Sequence, residues 1–175
     1  VFGLPVAVID FETTGIDALN CRAVSMSILH ANLGHDNAEV VYNQRFNPGE
    51  PIPEGASNIH GIYDKDVVGC PSFAQCYSLE GGIRDLLKGR VLVAYNLSYD
   101  WQVLNAELRR CNHLWEERYH WFGICGLVLA RYVDSQRRRR GYHKLEAVCK
   151  RRGIELENAH DAMADAKATA EVLNV

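Results

Sequence analysis

The chain has 175 residues, of which 47% are hydrophobic and 23% are charged, and its formal net charge is −3. This length and composition suit one globular domain with a buried core and exclude disordered, collagen-like and coiled-coil chains. The longest uninterrupted apolar segment, 122–130, has nine residues, whereas a membrane-spanning helix needs about 20. No basic region followed by an apolar stretch opens the chain. We therefore expect residues 1–175 to form a single domain without a membrane span or a secretory signal.

The predicted elements begin with strands and continue with helices that alternate with strands. Runs of apolar and β-branched residues predict strands at 5–10, 23–30, 40–46, 91–94 and 121–125. Apolar residues at helical spacing predict helices at 72–87, 98–111, 126–133, 143–152 and 160–173. Three prolines predict a loop over 47–58. This order indicates a mixed sheet covered by helices, in the α/β class.

Six cysteines are present and no two of them have CxxC spacing. Buried free thiols in a reducing cytosol are therefore the expected state, and we expect a cytoplasmic protein. A zinc site built from Cys70, Cys76 and a histidine such as His60 is the alternative, but this spacing matches no known zinc pattern.

Charge is unevenly distributed along the chain. Residues 131–152 carry nine Lys and Arg against two Asp and Glu, a net charge of +7, while residues 1–130 have a net charge of −6. The centre of this basic block is the run Arg137–Arg140. A solvated loop and helix face would account for the block, and so would a surface that attracts a polyanion such as a nucleic-acid backbone.

The first candidate site residues are Asp10 and Glu12, at the end of a predicted buried strand. Alternation along a strand places both carboxylates on one face and Phe11 on the other. Two neighbouring carboxylates repel each other unless a cation lies between them, and Mg²⁺ and Mn²⁺ prefer such oxygen ligands. An edge strand with an exposed acidic pair is the alternative.

Further candidates begin two predicted helices. Asp100 lies in the first turn of the helix after strand 91–94, where a carboxylate also gains from the helix dipole, so a capping role is the alternative. Asp161 and Asp165 share a helix face, and spacing alone allows either to be a metal ligand. His160, at the predicted start of the last helix, can titrate near neutral pH.

Together these groups supply several carboxylates and one histidine at the ends of strands and the starts of helices. Such a set can bind two divalent metal ions, Mg²⁺ or Mn²⁺, and hydrolyse a phosphodiester bond. A general base must remove a proton from the attacking water, and His160 is the natural candidate.

The three motifs occur in one order along the chain: DFETTG at 10–15, YNLSYD at 95–100 and HDAMAD at 160–165. In this the chain resembles the DnaQ-like 3′–5′ exonucleases of the DEDDh type. The segment IHGI at 59–62 and the sequence PSF at 71–73 are similar to further segments of that family. The resemblance covers nearly the whole chain.

This resemblance implies an RNase H-like fold, with a central mixed five-stranded sheet flanked by helices, and the removal of 5′-mononucleotides from a 3′ end. It favours Asp165 over Asp161. It implies His160 as the base, and as ligands of the two metals it implies Asp10, Glu12, Asp100 and Asp165. The positions that match substrate contacts or site-ordering residues are Thr13, His60 and Asn96.

Three departures from the family pattern concern the substrate. Tyr95 stands where relatives often have His, Tyr99 where Phe is common, and Gly55 where many have Glu. We expect single-stranded DNA as the substrate, with an exoribonuclease of the oligoribonuclease or ribonuclease T kind as the alternative and a non-catalytic nucleic-acid-binding module as a third reading. A homodimer and a larger polymerase or repair assembly both stay open. The chain shows no polymerase module that would support a replicative proofreading role.

Overall fold

A computed structural model describes residues 3–35, 37–112, 123–135, 139–156 and 158–173. The strands in these ranges are β1 (Pro5–Thr13), β2 (Ala23–Asn32), β3 (Glu39–Arg45), β4 (Val91–Ala94) and β5 (Gly123–Cys125). The helices are α1 (Glu54–His60), α2 (Asp64–Val67), α3 (Phe73–Ser78), α4 (Ile83–Leu87), α5 (Leu97–Arg110), α6 (Gly126–Val133), α7 (Leu145–Arg152) and α8 (Ala162–Leu173).

The strands form one mixed sheet in the order β3-β2-β1-β4-β5. β1 pairs antiparallel with β2 and parallel with β4, while β3 and β5 form the two edges. This arrangement confirms the predicted mixed five-stranded sheet. It also contradicts the edge-strand alternative for β1, whose residues from Val6 to Ile9 are fully buried in the centre of the sheet.

The two faces of the sheet are covered by different helices. Ala7, Ile9 and Phe11 face a large core that includes side chains of α3, α4 and α5. Val6 and Val8 face Ala166 and Ala170 of α8. These small side chains let α8 approach the sheet closely. The same alternation carries Asp10 and Glu12 onto the face that α8 covers.

The region from 47 to 87 departs from the predicted elements. The predicted loop 47–58 ends early, because α1 begins directly after Pro53, whose φ of −58° already suits a helix start. The predicted helix 72–87 is divided into α3 and α4. A side chain at Gly82 would lie 2.3 Å from the Cys76 carbonyl oxygen, so the chain turns where only glycine fits. The short helix α2 was not predicted.

Other element boundaries shift by a few residues. β1 continues to Thr13 because β2 pairs with it along that whole length. The last helix begins at Ala162 rather than at His160. Of the predicted strand 121–125, residues 121 and 122 lie outside the described residues, as do Arg137 and Arg138 of the arginine run.

Two predictions from composition can be compared with the structure. All six cysteines are free, and Cys21, Cys76 and Cys149 are buried. Cys76 packs in the main core and Cys70 against a separate apolar cluster, so the structure does not bring the proposed zinc ligands together. Within the described ranges, every helix is too short or too polar to cross a membrane.

Candidate active site

Three carboxylates meet where β1 passes beneath the start of α8. Each of Asp10, Glu12 and Asp165 offers an oxygen atom, and these atoms all lie within 4.8 Å of one another. Asp10 and Glu12 share a face of β1, as their spacing predicts, and the packing of Ala166 against the sheet brings the preceding Asp165 over them.

A fourth carboxylate, that of Asp100, joins this group from α5. It lies in the first turn of α5, directly after β4, and only 4% of it is exposed. Its Oδ1 accepts a hydrogen bond of 3.2 Å from the backbone N–H of Phe11, the residue between Asp10 and Glu12. The contact attaches Asp100 to β1, and a role limited to capping α5 does not account for it. We call Asp10, Glu12, Asp100 and Asp165 the carboxylate cluster.

Burial and mutual repulsion both favour the protonated forms of the cluster. The pKa of Glu12 is raised to about 8, that of Asp100 to about 7 and that of Asp165 to about 6, and in each case burial is the largest cause. Burial, with the charge of Asp100 next, also raises the pKa of Asp10 well above its ordinary value. Acidic groups held this close are stabilised in their ionised form by a cation.

The donor set fits a hard divalent cation. It consists of carboxylate oxygens, which Mg²⁺ and Mn²⁺ prefer, and the three closest already lie within the reach of one ion. Asp165 Oδ1 is buried and has no hydrogen-bond partner among the described residues. A buried oxygen atom without a partner is rare in folded proteins, and metal coordination would satisfy it.

Asp161 has a different role from Asp165. Its Oδ1 accepts hydrogen bonds from the backbone N–H groups of Met163 and Ala164, at 3.1 and 3.0 Å. These bonds cap the start of α8. An oxygen of Asp165 lies within 4.8 Å of oxygens of Asp10 and Glu12, while Asp161 lies near enough for its charge to raise the pKa of Glu12.

His160 lies beside the cluster, two residues before α8, and not within the helix as predicted. Its φ is 68°, a left-handed conformation that is uncommon for residues with side chains and is often found at functional sites. Its backbone N–H donates to Asp165 Oδ2 at 3.3 Å, and its Nε2 lies 3.6 Å from Glu146 Oε1. The imidazole is half exposed.

The three residues predicted to contact the substrate or order the site differ in exposure and in the hydrogen bonds they already form. Asn96 is exposed and precedes α5 without forming a side-chain cap. His60 is half-buried, and burial lowers its pKa. Its Nδ1 accepts from the N–H of Ile62 at 3.1 Å, and its Nε2 is buried beside the backbone of Thr13. Thr13 is already engaged, since its Oγ1 donates to the Gly15 carbonyl at 2.8 Å.

The sequence did not identify one further residue of the site, Glu146, or the structural role of another, Tyr99. The Tyr99 hydroxyl donates to the Gly15 carbonyl at 2.6 Å and lies 2.6 Å from Thr13 Oγ1, so it fixes the turn after β1. Glu146, the partner of His160, belongs to the basic block, where an acidic residue gives no signal of its own. The position of Tyr99 in the second motif could have indicated its place but not its hydrogen bonds.

A mixed sheet with α8 on one face and clustered carboxylates at the end of its central strand defines an α/β nuclease domain of the RNase H-like class. The sequence model of the exonuclease family matches residues 7–173. The chain therefore belongs to the exonuclease family, as its motifs predict.

Similar proteins fall into two groups. The chain is 29% identical over 168 residues to the PolC-type DNA polymerase III of Streptococcus suis, covering 95% of this chain and 11% of the polymerase. The corresponding polymerase of Halalkalibacterium halodurans is also 29% identical. Escherichia coli exonuclease I in complex with a dT13 oligonucleotide has a TM-score of 0.80 at 23% identity, covering 98% of this chain and 41% of that chain. The zinc-bound form of the exonuclease I complex with single-stranded DNA has a TM-score of 0.82. The likeness to exonuclease I concerns the fold.

Proposed function

We propose that this domain hydrolyses the terminal phosphodiester bond at the 3′ end of single-stranded nucleic acid, DNA above all, and releases 5′-mononucleotides. The observation that carries the proposal is the carboxylate cluster, in which acidic groups from β1, α5 and α8 converge and burial disfavours their ionised forms. Such a cluster is costly to a fold without a bound cation, which supports a metal-dependent function.

Asp10, Glu12, Asp165 and Asp100 would hold two divalent cations, Mg²⁺ or Mn²⁺. When bound, such ions would activate the attacking water and stabilise the leaving oxygen. His160 accepts the proton of the attacking water through its exposed imidazole, and Glu146 orients that ring at 3.6 Å. Thr13 and Tyr99 hold the turn after β1, the exposed Asn96 contacts the terminal nucleotide, and His60, whose Nε2 is buried, orders the site.

The preference for DNA is supported by the relatives. Exonuclease I binds single-stranded DNA oligonucleotides, and the polymerases that carry a matching segment are DNA polymerases. The choice between DNA and RNA depends on contacts to the 2′-hydroxyl of the substrate. The experiment below therefore compares the two nucleic acids directly.

Residues 1–175 form one exonuclease domain in this proposal, and the family match over 7–173 supports it. The chain spans about a tenth of the length of the polymerases and about two fifths of exonuclease I. Because the matching segment belongs to a much longer polymerase chain in those relatives, a polymerase or repair assembly is a better supported partner than a second copy of this chain.

The decisive experiment follows 5′-labelled single-stranded DNA and RNA with Mg²⁺, with Mn²⁺ and with chelator. We expect a ladder that shortens from the 3′ end only when a divalent ion is present, with DNA degraded faster. Asp10→Asn, which removes one ligand charge at nearly constant volume, is the matched control and should be inactive. Binding without cleavage by the wild-type protein in both metals would contradict the proposal and favour a binding module.

A further inference from the structure

A cavity of about 850 Å³ is lined by residues of α6 and α7, and Asp165 is the member of the carboxylate cluster that lines it. Asp165, His160 and Asn96 form part of its wall, so it opens beside the proposed site of hydrolysis. Its volume lies in the range of pockets that enclose a small ligand, roughly 300–1,000 Å³. Hydrolysis at Asp165 and His160 does not by itself require a space of this size.

The cavity combines an apolar wall with a cationic edge. Its apolar wall includes Leu127 and Leu145. Its edge carries four exposed cationic side chains, which we call the basic rim: Arg131, Arg139, Arg140 and Lys144. A nucleotide has the matching chemistry, because its base is flat and partly apolar while its phosphate is an anion.

Side chains of the basic block differ in whether they form bonds within the fold. Arg151 lies over the Tyr142 ring at 3.8 Å and donates to the carbonyl oxygens of Tyr142 and Ala147, and Arg152 donates to the Val172 carbonyl. These two arginines therefore hold the fold together. Among the described residues, by contrast, no hydrogen bond or ion pair engages the side chains of the basic rim.

We propose that this cavity holds the nucleotide on the 5′ side of the scissile bond, with Arg139 and Arg140 bound to backbone phosphates and the base resting on Leu127 and Leu145. The inference rests on the proposed function, since the scissile bond must lie over the carboxylate cluster. Cations that the fold leaves unpaired at the edge of such a cavity attract the strand and set its direction into the site.

The test compares two substrates that differ only in what lies beyond the scissile phosphate. One is a single-stranded DNA octanucleotide, and the other is thymidine 5′-p-nitrophenyl phosphate, which has a nitrophenyl group in place of the strand. For Arg139→Gln/Arg140→Gln, we expect the ratio of the octanucleotide KM to the ester KM to rise about tenfold. The salt dependence of octanucleotide binding should weaken by about 0.7 in log–log slope per lost phosphate contact.

The matched control removes two exposed charges elsewhere, in Arg84→Gln/Lys88→Gln. Arg84 lies in α4 and Lys88 directly follows it, so both precede the start of β4. The cavity lies at the other end of this strand, where Tyr95 and Asn96 follow its last residue. The control should leave the KM ratio and the salt slope unchanged. If the double rim variant no longer hydrolyses the ester, the single variants Arg139→Gln and Arg140→Gln are measured in its place.

The outcomes separate this inference from the proposed function. A wild-type protein that hydrolyses both substrates, with a rim variant whose KM ratio equals that of the wild type, overturns the inference and leaves the function intact. Inhibition by thymidine 5′-monophosphate that weakens by the same tenfold factor also overturns it, because the cavity would then hold the product. A wild-type protein that hydrolyses neither substrate contradicts the function and, with it, the inference.

Discussion

The carboxylate cluster and the basic rim meet at one cavity, which Asp165 and the rim residues line, but the two groups are held in different ways. The cluster is built on β1, α5 and α8, where packing against the sheet forces acidic groups together. The rim consists of exposed cations on and between α6 and α7, and other described residues do not bond to their side chains. A buried site can position a reaction because its geometry is fixed by the core. An exposed cationic edge can attract a flexible strand without fixing one geometry.

The largest loss of activity is expected when Asp10, a carboxylate of the cluster, is replaced. Asp10→Asn removes a carboxylate that faces three others, so the rate of exonucleolytic cleavage should fall at least about a thousandfold. The variant should nevertheless be folded, and without metal it should unfold at a higher temperature, because repulsion from Asp100 and Asp165 is relieved. Activity on 5′-labelled DNA and thermal unfolding in chelator test both statements. Wild-type activity in this variant would show that the site lies elsewhere.

A second variant separates proton transfer from metal binding. His160→Gln removes the proposed base, so kcat should fall by about 10²–10⁴-fold. The Mg²⁺ concentration for half-maximal activity should change little, since the oxygens of Asp10, Glu12 and Asp165 meet without the imidazole. A titration of the remaining activity with Mg²⁺ measures both quantities. If only the Mg²⁺ requirement changes while kcat stays at the wild-type value, His160 acts on the metal site and not as the base.

The cluster also predicts a dependence of stability on pH that the rim does not. In the metal-free protein the pKa of Glu12 is raised from an ordinary value of 4.5 to about 8. Between these values the folded protein keeps a proton that the unfolded chain has released. The contribution of Glu12 to the free energy of unfolding is therefore present in full below pH 4.5 and is lost as the pH rises through 8.

Thermal unfolding in chelator from pH 5 to pH 9 measures this loss, which we expect to lower Tm by at least about 3 °C. Saturating Mg²⁺ should raise Tm more at pH 8 than at pH 5, because it binds the ionised carboxylates. Glu12→Gln should flatten the profile, and Arg139→Gln should leave it unchanged. A Tm that rises with pH in chelator would contradict the description of the cluster.

The pair Asp10 and Glu12 was predictable because it depends on local periodicity, whereas Asp165 was chosen over Asp161 only through the resemblance to the family. A spacing of two on a buried strand places Asp10 and Glu12 on one face whatever the rest of the chain does. The left-handed backbone of His160 and its approach to Glu146 depend on how α7 packs against α8, which local sequence does not encode. The sequence also presents residues 131–152 as one basic block. Only tertiary contacts separate Arg151, whose side chain bonds to the carbonyl oxygens of Tyr142 and Ala147, from Arg139, whose side chain makes no hydrogen bond or ion pair with the described residues.

The smallest effects on activity and stability are expected when the Tyr99 hydroxyl is removed. Relatives commonly have Phe here, yet the hydroxyl donates to the Gly15 carbonyl and lies 2.6 Å from Thr13 Oγ1 within the turn after β1. Tyr99→Phe keeps the ring against the core and removes the hydrogen bond of the hydroxyl, which should lower the free energy of unfolding by about 1 kcal/mol. Because the turn supports the cluster without touching the reacting atoms, kcat/KM should fall by less than about tenfold, or 1.4 kcal/mol. Chemical denaturation and steady-state kinetics provide the two numbers. A loss of activity as deep as that of Asp10→Asn would mean that the hydroxyl contacts the substrate itself, and the rigid turn would then belong to the binding surface.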